Sequence, residues 1–91
     1  MIQKRWFHAT TKENWEKIKK DGLRRGTFLA RNLEELVRMI NLPLIGDLEK
    51  CELVLSVKHI PSNLDEYNPK SWEMVVRKSI VAENIRFLRY L

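Results

Sequence analysis

The chain has 91 residues, 44% of them apolar and 32% charged, a globular composition at a size that accommodates one small domain. Its longest apolar runs are too short to span a bilayer, and the start Met1-Ile2-Gln3-Lys4-Arg5 leads into no apolar signal region, so a cytoplasmic setting away from membranes is expected. The lone Cys51 excludes an internal disulfide and forms no metal-ligand spacing with His8 and His59, whereas a net charge of +5 and a pI near 9.6 fit an anionic partner: nucleic acid, the diphosphate of a nucleotide, or an acidic protein.

Residues 4–8 alternate Lys4, Trp6 and His8 with Arg5 and Phe7, which predicts a short first strand with both faces partly covered. Thr10 with Glu13 three residues on forms a capping box, so a helix is predicted to follow. Trp15 and Ile18 supply its inward face, Gly22 stops it, and Leu23 falls against Ile18 as in a glycine-terminated helix end. Residues 27–30 read as a second strand. Asn32 with Glu35 repeats the capping logic before a second helix carrying Leu33, Leu36, Val37 and Ile40, and Pro43 ends it. Residues 42–50 then read as a loop, 52–58 as a half-buried strand, and 61–69 as a polar, proline-flanked loop. The alternations over 72–77 and 85–90 predict two more strands. Strands and helices alternate first and strands dominate later, which predicts an α+β fold with a mixed or mostly antiparallel sheet and two helices in the N-terminal half. Gly22, Gly26 and Gly46 are too widely spaced for a P-loop or a dinucleotide turn, so any nucleotide must be held differently.

Three positions are expected to converge on such a site, with a carboxylate to complete the set. His8 ends an apolar strand, the Thr10 hydroxyl follows at a helix start, Phe28 is the aromatic of the next strand, and Glu73 is a carboxylate in an otherwise apolar one. Phe7-His8-Ala9-Thr10-Thr11, the helix ending in Asp21-Gly22-Leu23, the strand Gly26-Thr27-Phe28-Leu29-Ala30 and the helix from Asn32 resemble, in order, the N-terminal half of ADP-ribosyltransferases of the histidine–tyrosine–glutamate class. The run from Trp72-Glu73-Met74 through Ser79-Ile80 to Asn84-Ile85 is similar to the last catalytic strand of that class and the turn beyond it.

The resemblance implies a small ADP-ribosyltransferase-like fold and NAD as substrate, with no metal. His8 would bond a ribose hydroxyl, the Ala9 backbone would hold the nicotinamide amide, Thr10 would join the nucleotide site, and Phe28 would take the place of the stacking tyrosine. Glu73, with His8, would be catalytic, stabilising the positive charge that develops as the ribosyl–nicotinamide bond breaks. Arg5, Arg24 or Arg25 would pair with the diphosphate. This chain departs from the class at Ala9, where glycine is usual, at Phe28, which lacks the tyrosine hydroxyl, and at Ser71, where glutamate or glutamine often marks the acceptor.

Each residue also has an ordinary structural explanation. Thr10 serves as a cap, Phe28 as core, and Glu73 as the solvent side of an edge strand. Trp6, Trp15 and Trp72 read as core or its rim, His59 as structural, and Cys51 as an ordinary buried thiol. Lys17, Lys19, Lys20, Arg24 and Arg25 cluster at the first helix end, partly complementing its dipole. Two functions therefore stand: NAD-dependent transfer of ADP-ribose to a protein or nucleic-acid acceptor, or an inert binding or inhibitory protein on the same fold that engages an anionic partner through its basic surface. RNA 2′-phosphotransfer is a third, without the arginine signature it would need.

Overall fold

The computed structural model describes residues 3–40, 51–61, 66–67 and 73–91, with positions 66, 67 and 73 described through their backbone only. Strand β1 (Arg5–Thr10) alternates as its sequence predicts, with Trp6 and Thr10 buried on one face and Phe7 and Ala9 half-buried on the other. It runs two residues further than expected, and the helix cap moves with it. Thr11, not Thr10, caps α1 (Lys12–Asp21), its hydroxyl accepting the Asn14 N–H at 3.1 Å. Thr10 is held by the sheet instead: its side chain is buried, and its carbonyl accepts the Glu52 N–H at 2.9 Å. Two adjacent β-branched residues can both extend a strand and both cap a helix, and cross-strand pairing decides between them.

Helix α1 ends as predicted, with Ile18 and Leu23 in one core cluster. The Gly22 N–H donates to the Ile18 carbonyl at 2.9 Å, and its backbone sits at φ 77° and ψ −164°, a region essentially reserved for glycine. A Cβ at this position would run into the Ile80 carbonyl. Leu23 and Ile80 exchange backbone hydrogen bonds of 2.9 and 2.8 Å, which ties the helix end to the C-terminal third of the chain. A turn follows in which the Thr27 N–H reaches the Arg24 carbonyl at 3.2 Å, with Gly26 at φ 92° in the third position where a positive φ is needed.

Strand β2 (Phe28–Ala30) leads into α2 (Leu33–Ile40), which Asn32 caps as expected, its Oδ1 accepting the N–H groups of Glu34 at 2.8 Å and Glu35 at 3.2 Å. Strands β3 (Leu53–Lys58), β4 (Glu66–Tyr67), β5 (Glu73–Val75) and β6 (Ile85–Tyr90) follow, with a 3-10 turn at Ala82–Asn84 before β6. The sheet order is β4-β5-β2-β1-β3-β6 and every pairing is antiparallel, which makes the fold α+β with an antiparallel sheet. Two expectations need correction. The stretch read as a loop over 61–69 contains β4, whose two residues pair with β5 but are too few to show an alternation in sequence. Strand β3 is not half-buried: Leu53, Leu55 and Val57 on one face and Val54 on the other are all buried, because β1 and β6 flank it and the two helices lie over opposite faces.

The core accordingly has two parts. Trp6, Leu29, Leu55, Met74 and Ile85 pack with Ile18 and Trp15 of α1, while Ala30, Val54, Phe7 and Leu88 pack with Leu33, Leu36 and Ile40 of α2. The expected end of α2 at Pro43, the loop over 42–50 and Trp72 lie outside the described residues. Among the described residues no helix is long and apolar enough to cross a membrane.

Replacing Gly22 by alanine is expected to destabilise the fold by about 3 kcal/mol or more, since a strained backbone region costs about 1–3 kcal/mol and the Ile80 clash adds to it. In a thermal melt this is a drop of more than about 10 °C for a domain of this size. An unchanged melting temperature would show that the α1 end is not fixed by this close approach.

Candidate functional site

The candidate site forms where β1 and β2 part. Their ladder has one registered pair, Phe7↔Ala30, and side chains take over on either side of it. On one side the Gln3 amide nitrogen donates to the carbonyls of Arg5 at 2.9 Å and Arg31 at 2.7 Å. On the other, His8 Nδ1 lies 2.9 Å from the Phe28 carbonyl. A carbonyl can only accept, so Nδ1 carries the proton and the neutral ring keeps Nε2 as a hydrogen-bond acceptor. Burial pushes the His8 pKa below its ordinary value, with the bond to Phe28 opposing the shift, so the neutral ring is the form favoured at neutral pH.

The parity of the β1–β3 ladder adds a backbone donor to the site. The His59 N–H donates to the Lys4 carbonyl at 2.8 Å, so Lys4, Trp6, His8 and Thr10 direct their backbone groups toward β3. Arg5, Phe7 and Ala9 direct theirs toward β2. Past Phe7↔Ala30 no pair registers between these strands, and the main chain of Ala9 faces the gap.

The gap is a cleft of about 310 Å³ lined by Phe7, His8, Ala9, Thr27, Phe28, Leu29, Ala30 and Leu36. Its walls are mainly apolar, with His8 and Thr27 as the polar side chains. Phe28 is 54% exposed beside it, which overturns the reading of this ring as core. The Thr27 side chain donates to the Arg24 carbonyl at 2.6 Å and also borders a second, more polar groove of about 320 Å³, whose lining includes Asn14, Lys17, Asp21 and Arg24.

The structure thus brings together His8, Ala9 and Phe28 of the expected site. Thr10 lies outside the cleft, buried in β1. For Glu73 the described feature is its backbone, which pairs with Ala30 on the cleft wall, one strand spacing of about 5 Å away; its side chain lies outside what is described. Met74, next to it, is buried in the core as expected. Of the three arginines expected near a diphosphate, Arg24 borders the groove adjoining the cleft, whereas Arg5 lies against a different groove. Thr27, Phe7 and Leu36 were not singled out from the sequence. The first two flank motif residues, but Leu36 reads only as the inward face of a helix.

His59 is structural, its carbonyl accepting the Trp6 indole N–H at 3.1 Å. Burial raises the Cys51 pKa, which suits an unreactive thiol. Among the described residues no group of histidine, cysteine and carboxylate side chains is arranged to hold a metal ion. Comparison with protein-family models, with curated proteins and with solved structures finds no match to this chain.

Because the folded-state pKa of His8 lies below its unfolded value, the unfolded chain binds the extra proton first as pH falls. This contribution to stability is complete above about pH 6.5 and is lost as pH drops below that value toward the folded pKa. Urea midpoints measured across this range are expected to fall more steeply for the wild type than for His8→Gln, which keeps a neutral donor near the Phe28 carbonyl. Parallel curves would show that His8 does not titrate differently in the two states.

Proposed function

We propose that the cleft binds the nicotinamide end of NAD and that the protein transfers ADP-ribose to a protein or nucleic-acid acceptor. The observation that carries this reading is the interrupted β1–β2 ladder. It turns the Ala9 main chain and an exposed aromatic, Phe28, toward one apolar cleft, beside a histidine held in the tautomer that accepts at Nε2. An apolar slot with few fixed polar groups suits a flat carboxamide-bearing ring. The ring would stack on Phe28, its amide would bond the Ala9 backbone, and a ribose hydroxyl would donate to His8 Nε2. The polar groove past Thr27, with Lys17 and Arg24, would receive the diphosphate. The order of elements also agrees with the resemblance: the histidine is on β1, Gly22-Leu23 ends α1, the aromatic is on β2, and the glutamate is on β5.

In the reaction the bond between ribose C1′ and the nicotinamide ring nitrogen breaks, and its electron pair leaves with nicotinamide. C1′ takes on oxocarbenium character, and the acceptor nucleophile bonds to C1′ and gives up its proton. Glu73, whose backbone adjoins the cleft wall at Ala30, is assigned to stabilise that positive charge, an interaction stronger in the transition state than in the ground state.

In an NMR titration with NAD, saturable shifts are expected at His8, Ala9 and Phe28. Phe28→Ala is expected to weaken binding about fivefold, in line with an aromatic contact worth about 1 kcal/mol, while Phe28→Tyr retains it. Glu73→Ala is expected to keep NAD binding and to lower transfer by about 100-fold or more, typical for loss of one group that stabilises developing charge. Transfer unaffected by Glu73→Ala would remove that residue from the mechanism. An absence of shifts at millimolar NAD would refute the nucleotide site and leave an inert binding protein as the reading.

A further inference from the structure

A second feature lies at the other end of β1 and owes nothing to the nucleotide cleft. Lys4, Arg5, Lys58 and Arg86 border a groove of about 470 Å³ that also touches Ser56, Glu83 and Asn84. Three strands build it, and strand register sets the charges close together. Arg5 stands directly opposite Lys58 across β1–β3, and Ser56 directly opposite Arg86 across β3–β6. Like charges opposed in this way destabilise a sheet. Four cations share the groove with one carboxylate, Glu83. Such an arrangement is relieved when an anion enters the groove.

Arg5 shows which anion fits. Its Nε donates to Ser56 Oγ at 2.9 Å, and its guanidinium carbon lies 5.8 Å from the centre of the Phe7 ring. The plane of the guanidinium is thus fixed from two sides, while its two terminal nitrogens remain to bind a phosphate bidentately. From β1 to β6 the groove spans two strand spacings, about 10 Å, the scale of a single sugar–phosphate backbone rather than of a flat membrane. Its rim residues are polar or charged, with none of the apolar wedges by which a protein surface enters a bilayer.

We propose that this groove binds the phosphodiester backbone of a single-stranded nucleic acid, with Arg5, Lys58 and Arg86 as the phosphate contacts. The basic cluster near the end of α1 is a weaker counterpart, because Lys19 is paired to Glu16 at 3.0 Å and also lies over the Trp15 ring.

The test is fluorescence anisotropy with labelled single strands of about twelve nucleotides, oligo(U) RNA and oligo(dT) DNA, titrated with the full chain in the absence of NAD. Its outcome is therefore separate from that of the nucleotide cleft. Both strands are expected to bind, and a clear preference for RNA or DNA would identify the natural source of the backbone. The triple variant Arg5→Gln, Lys58→Gln, Arg86→Gln is expected to bind at least tenfold more weakly. Its slope of log affinity against log salt should be shallower by about 2, from about 0.7 for each lost phosphate contact on a single strand. A matched variant, Lys12→Gln, Arg38→Gln, Lys78→Gln, removes the same charge at exposed positions outside the groove and is expected to bind within about twofold of wild type. Melting temperatures of both variants check that the fold is retained. Equal losses in the two variants would overturn the proposal in favour of diffuse charge attraction. So would binding to phosphatidylserine-containing vesicles without binding to either oligonucleotide.

Discussion

The hydrogen bond from His8 Nδ1 to the Phe28 carbonyl engages an acceptor that an uninterrupted β1–β2 ladder would offer to a backbone donor, and the layout of the cleft follows from that exchange. One registered pair, Phe7↔Ala30, keeps the two strands in the same sheet. Beyond it they separate enough to leave a cleft, yet the imidazole still bridges them, so the opening has a fixed width rather than a frayed edge. The same bond sets the tautomer of His8, and burial of the ring favours its neutral form. Shape and hydrogen-bonding capacity at the site therefore have a common origin.

That exchange is stable because the strands on either side are anchored independently. Strand β1 is paired to β3 along its whole length, Arg5 to Lys58 through Thr10 to Leu53. Strand β2 is paired to β5 over all three of its residues. The α1 cluster draws on both halves, with Trp6 and Leu55 on one side of the gap and Leu29 and Met74 on the other, and the α2 cluster joins Phe7 and Ala9 to Ala30. Burial over both faces offsets the missing ladder bonds, in keeping with the larger contribution of apolar burial to net stability than of any single hydrogen bond.

Much of this was legible in the sequence where a local rule reported it. Asn32 before Glu35 gave the cap of α2, Gly22-Leu23 gave the end of α1, and β6 emerged with its observed bounds from its alternation. Local rules failed where neighbours decide. Thr10 and Thr11 are equivalent candidates for a cap until pairing with β3 is known, and Val54 reads as the exposed side of a strand until α2 is placed over it. At the candidate site, His8 and Phe28 were visible as residue types, but the bond between a histidine side chain and a main-chain carbonyl leaves no trace in sequence. The groove of Lys4, Arg5, Lys58 and Arg86 was wholly hidden, since Arg5, Lys58 and Arg86 come from three strands and register alone brings them together.

Phe7 and Arg5 place the two features in relation to each other. They are alternate residues of β1, so they share a face of the sheet; Phe7 lines the cleft while Arg5, held near its ring, borders the basic groove. A strand bound along the groove would therefore pass beside the Arg5–Phe7 pair that joins the groove to the cleft. Solvation also argues for an occupant at the cleft itself. An aromatic ring 54% exposed at the edge of an apolar slot forgoes burial that could otherwise contribute about 1.5–3 kcal/mol in full, and a sheet with a core on both faces had the means to bury it. Phe28 is kept at the surface by a β2 backbone locked to Val75 on one side and to His8 on the other, and a flat ligand covering its ring would recover part of that burial.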